Sequence, residues 1–185
     1  MRTLSFFLFT LLATQAFSDD YGYNTDTEQS QPLNMAHIHM EHVYLSWSTA
    51  PDKLGFLTTA SAEANTAKQH MEAALQAPVS LAQIKQHSRQ VAYALSGKGS
   101  GDAHGYGVLK AAKGVKKHIM LAAQSPGSSD AIQMHALHIA TSAQNVVMWS
   151  EQAFTTAKAI ERSQDLTTAT ELAEQLQQLV DHLVS

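Results

Sequence analysis

Residues 56–76 read FLTTASAEANTAKQHMEAALQ, with Gly55 just before them and Pro78 just after. Leu57, Ala60, Ala64, Ala67, Met71 and Leu75 recur at steps of three and four, the spacing of one face of an α-helix. Much of that stripe is alanine, which favours helices that approach closely over strands, where branched and aromatic residues dominate. The same signature repeats on both sides. Pro32 to about Thr49 predicts a helix ended by Ala50-Pro51-Asp52, because proline cannot continue it. Ser80 is a good N-cap for a helix carrying Leu81, Ile84, Val91 and Leu95 up to Gly97. Five of the nine glycines then crowd into residues 97–107, which read as a flexible connection. Further helices are predicted over 108–124, ended by Ser125-Pro126-Gly127, over 130–162, capped by Ser128 or Ser129, and over 166–184, with Leu172, Leu176, Leu179 and Leu183 in register. No stretch alternates as a strand does. The expected fold is an all-α, up-and-down bundle of four to six helices, occupying residues 32–185 as one domain.

Upstream, Arg2 precedes the apolar run Leu4 to Ala13 and the small-residue site Ala16-Phe17-Ser18, the three-part pattern of a secretory signal. The apolar run is too short to span a bilayer. Residues 19–31 are polar and aperiodic and are expected to form a disordered leader. A periplasmic or secreted protein follows, without stable membrane insertion once the signal is removed. Cysteine is absent, which excludes disulfides, thiolate metal sites and covalent c-type haem attachment. The formal net charge of −4 and the lack of a basic stripe argue against a nucleic-acid partner. A homodimer is compatible with the sequence.

Histidine is the unusual residue: there are ten, most of them on predicted helices. The first helix contains His37, His39 and His42, the fifth His135 and His138, so each carries an H-x-x-H step that sets two imidazoles on one face. Met35 stands four residues before His39, and Met134 four before His138. Imidazole with thioether suits copper, the soft sulfur favouring Cu(I), and imidazole alone suits zinc or nickel. Setting two partly desolvated imidazoles side by side is costly unless they share a ligand. The expected ligands are therefore His39, His42, His135 and His138, with the first and fifth helices as neighbours whose pairs face one another. His87, on the apolar stripe of the third helix, and His118, which shares a face with Val115 and Ala122 on the fourth, are further candidates. Met35 or Met134 would add a thioether.

Two other readings stand beside this one. A bundle can hold haem non-covalently through His/His or His/Met axial ligands. A lone histidine on an apolar face, such as His70, His87 or His118, is ordinarily a hydrogen-bonded core residue, and the whole set could serve packing or pH response. Support for an enzyme is weakest: H-E-x-x-H is absent, Glu-x-x-His does not repeat, and the glycine run lacks the spacing of a phosphate loop. The exported, cysteine-free, histidine-rich helical chain resembles small periplasmic metal-binding proteins, in which helical histidines hold copper, zinc or nickel. The resemblance implies a role in metal buffering, delivery or resistance. Those proteins carry regular short His repeats and this chain has none, which implies a few defined sites.

The signal reading has a direct check. In a native host, N-terminal sequencing of the mature protein should begin at Asp19, within about two residues, and osmotic shock should release it. Full-length chain in the membrane fraction would contradict this.

Overall fold

Asn34 opens the first helix by accepting N–H bonds from Ala36 (3.0 Å) and His37 (3.4 Å) on its side-chain oxygen, satisfying donors that a helix start leaves free. Ser80, Ser129 and Asp165 do the same for later helices, through Gln83, Ile132 and Thr168. The computed structural model describes residues 34–185, so the signal over 1–18 and the leader over 19–31 lie outside the described residues. It contains α1 (Met35–Tyr44), α2 (Phe56–Ala74), α3 (Leu81–Ser96), α4 (Val108–Gln124), α5 (Asp130–Arg162) and α6 (Leu166–Val184). The protein is an all-α bundle with no strand among the described residues, and none of the described helices is long and apolar enough to cross a membrane.

The alanine stripes set the packing. One core is formed by α2, α3, α5 and α6, with α2 and α5 each lying against both α3 and α6. Met71, Ile84, Leu95, Ile160, Leu176 and Val180 are buried there among alanines of every helix. A second core joins α1, α4 and the first halves of α2 and α5, around Val43, Phe56, Val115, Ile119, Ala136 and Ala140. With 33 residues, α5 is about 50 Å long, enough to serve both cores.

The main departure from expectation lies at the end of α1. The helix stops at Tyr44, not near Thr49, because Leu45 and Ser46 both return N–H bonds to the Glu41 carbonyl. The chain then folds into a closed loop in which Trp47 donates to the Lys53 carbonyl, Ser46 bridges Leu54, and Gly55 donates to the Leu45 carbonyl. Gly55 is required at this closure, since a Cβ there would sit 2.6 Å from the Tyr44 carbonyl carbon. The loop turns Trp47 back onto α1.

The glycine-rich connection over 97–107 is stitched down rather than free. Glu63, wholly buried on α2, accepts from the backbone N–H of Tyr106 (2.7 Å) and Gly107 (3.0 Å) with one carboxyl oxygen, tying the start of α4 to α2. Glu63→Ala should therefore cost about 2 kcal/mol in urea unfolding, with Glu63→Gln, which keeps an acceptor, recovering at least half. Equal stability of the Ala variant and the parent would show that this carboxylate does not anchor α4.

Candidate metal centre

Three of the ten histidines converge where α1 crosses α4. His39 and His42 stand one turn apart on the face of α1 that meets α4, and His118 lies on the buried stripe of α4 with Ala111, Val115, Ile119 and Ala122. One ring nitrogen from each lies within 4.8 Å of one from each of the others. His118 Nδ1 is 3.2 Å from His39 Nδ1 and 3.1 Å from His42 Nδ1. Trp47 and Phe56 wall the group: the Trp47 ring centroid is 4.8 Å from that of His42, and Phe56 is 5.2 Å from that of His118. His118 is only 6% exposed, and His39 and His42 are half-buried.

Hydrogen bonding alone serves this cluster poorly. A neutral imidazole nitrogen carries either one proton or one in-plane lone pair. If His118 Nδ1 holds its proton it can donate well to one neighbour; if it does not, one lone pair faces two rings. A cation between three lone pairs satisfies all of them. The two spacings to His118 are close to what one requires, because nitrogens about 2.0–2.1 Å from a tetrahedral ion stand roughly 3.3–3.4 Å apart. Three close histidines that can hold a metal ion are thus present, with the remaining ring protons left on Nε2.

The electrostatics favour the neutral form of His118 and His39. Burial, then His42, His39 and Lys117, hold His118 down to about 4 from its ordinary value of 6.5. His39 is lowered as well, by burial first and then by His42 and Lys117.

The other candidates lie elsewhere. His135 and His138 are exposed on α5, because Ala136 and Ala140 form the buried stripe of that segment and turn the intervening side chains outward. The packing partner of α1 is α4, so the two H-x-x-H pairs do not face one another. Met134 is 65% exposed beside His135, and Met35 is 44% exposed on α1. His138 instead lines an apolar groove with Tyr44, Leu57 and Ile139. His87 meets His70: their Nδ1 atoms are 3.2 Å apart, and His70 Nε2 is 3.9 Å from the Asp102 carboxylate. Burial and then His87 lower the His70 pKa, while Asp102 partly offsets them. The sequence reading placed His118 behind the α5 pair and missed Trp47 and Phe56. The available signal was that His118 is the lone ionisable side chain on the buried stripe of α4.

The His118 shift sets a pH dependence for the metal-free protein. The unfolded chain takes up this proton near 6.5, whereas the folded chain resists it until about 4, so the stability is whole above about 6.5 and is lost as pH falls toward 4. The loss should reach up to about 3 kcal/mol. In chelator-treated protein, the urea midpoint should fall over this window, and the fall should be visibly smaller in His118→Phe. Identical pH profiles would refute the buried neutral imidazole. Comparison of the chain with protein-family models, with curated proteins and with solved structures finds no match in any of the three.

Proposed function

We propose that the protein binds a divalent transition-metal ion, copper first and zinc or nickel next, through Nδ1 of His39, His42 and His118, and that it serves metal buffering, delivery or resistance outside the cytoplasm. The observation that carries this reading is the convergence of three imidazoles, with one nitrogen of each within 4.8 Å of the others and two of those spacings at 3.1 and 3.2 Å. Copper stands first because an all-nitrogen site follows the general order of divalent affinities, in which Cu²⁺ leads. The thioether argument for Cu(I) is weaker, since Met134 lies exposed on α5.

The type of site supports exchange over permanent structural binding. Sealed structural sites supply four protein ligands, whereas three leave a position open. His42 also lines a surface hollow with Glu41, Ser46, Trp47, Ser48 and Lys53, which gives an ion a route to solvent or to a partner's ligand. Haem fits less well, because axial imidazoles need a flat porphyrin between them and these rings already touch each other and two aromatic walls. Export rests on the signal pattern over 1–18.

Competition titration with Cu²⁺ and Zn²⁺ tests the reading. The parent should hold one tight equivalent, His118→Ala should weaken it on the order of a hundredfold or more, and His135→Ala/His138→Ala should leave it unchanged. Because His118 stays neutral to about 4, protons should not displace the ion from His118 itself until well below the free-histidine value. An unchanged affinity in His118→Ala would overturn the assignment.

A further inference from the structure

The α2–α3 hairpin carries a second pair of imidazoles. His70 lies about one turn before the end of α2 and His87 under two turns after the start of α3, so the antiparallel packing of the two helices brings them level. Their Nδ1 atoms are 3.2 Å apart, within 0.1 Å of the spacings around His118. The rings are tilted by 37° with centroids 5.5 Å apart, an offset that directs the nitrogens, not the faces, at one another.

A carboxylate stands behind this pair. The exposed Asp102 carboxylate stands 3.9 Å from His70 Nε2, the ring nitrogen that does not meet His87. A carboxylate there favours the tautomer that keeps its proton on Nε2, which leaves the Nδ1 lone pair free to bind; metal-ligating histidines are ordinarily oriented this way. The placement of Asp102 is also built. Its backbone N–H donates to Gln90 Oε1 (3.2 Å) on α3, one turn beyond His87. The neighbouring Gly101 lies so close to Gln90 and Tyr93 that a Cβ would collide with both side chains. The loop is thereby pressed flat against α3.

We propose that His70 and His87 form a second site for a divalent transition-metal ion of the zinc class, with Asp102 as the outer carboxylate that orients His70. The two Nδ1 atoms are the protein ligands, and water completes the shell on the solvent side. Their spacing is close to that of two vertices of a tetrahedral ion and is too short for linear two-coordinate Cu(I), whose donors would stand about 4 Å apart with bonds of roughly 2 Å. With two protein ligands instead of three, the site binds more weakly than the one at His118. A bound ion would cross-link α2 to α3.

The experiment is zinc titration of the full chain against a competing chelator dye, with zinc alone as the probe. The parent should bind two equivalents, one tight and one weak. His39→Ala/His42→Ala should keep only the weak one, and adding His87→Asn to that background should remove it. Asp102→Asn, a change on an exposed loop that does not threaten folding, should weaken the weak site by about threefold to tenfold and leave the tight one alone. Far-ultraviolet dichroism checks that each variant is folded. If His39→Ala/His42→Ala binds no zinc, or if its zinc survives His87→Asn in a folded protein, the second site does not exist. A parent with one equivalent that is lost in His87→Asn but kept in His39→Ala/His42→Ala would uphold this site and refute the one at His118.

Discussion

The contact of α1 with α4 is the constraint on which the candidate site depends. It buries His118 beneath two half-exposed imidazoles. A buried polar group without a good partner costs about 1–3 kcal/mol, and here three nitrogens compete for too few protons. The helix that imposes this has only 10 residues, too short to be stable by itself. What holds it is tertiary: Ala36 and Val43 are fully buried, Asn34 caps its start, and the loop over 45–55 closes its end with backbone hydrogen bonds. A metal ion at the three nitrogens would tie α1 to α4 directly, turning an electrostatic cost into a cross-link.

The rest of the bundle makes this tolerable. The core around Met71, Ile84, Leu95, Ile160 and Leu176 is apolar and, apart from Val108 at the start of α4, is built from helices that do not carry the three-histidine group. Against that support, α5 and α2 extend into the second core and hold α4 in place, while Glu63 fixes the start of α4 from α2. Gly114 on α4 completes the arrangement. A Cβ there would sit 2.5 Å from the Phe56 ring, so its absence is what lets the aromatic wall approach His118.

Much of the fold was legible because its punctuation is local. Pro78, Gly97, the run Ser125-Pro126-Gly127 and the caps Ser80 and Ser129 act within a few residues, and helices α4, α5 and α6 span the residues that their periodicity predicted. The end of α1 was not legible, since Tyr44 rather than Thr49 ends it through loop bonds to Lys53 and Gly55. The site was half legible. H-x-x-H spacing identified His39 and His42 as a pair, but spacing within one helix cannot say which other helix will face it. The structure chose α4, whose buried stripe contains His118; the matching pair on α5 sits beside an alanine stripe that packs inward and leaves His135 and His138 in solvent. His70 and His87 show the same limit, because their meeting depends on the α2–α3 turn.

The most direct test is crystallographic. Crystals of the protein grown with stoichiometric Cu²⁺ or Zn²⁺ should give an anomalous peak at the metal edge, about 2.0–2.1 Å from Nδ1 of His39, His42 and His118 together. A metal peak on His135 and His138, or an ordered protein with no peak between α1 and α4 at saturating metal, would contradict the account.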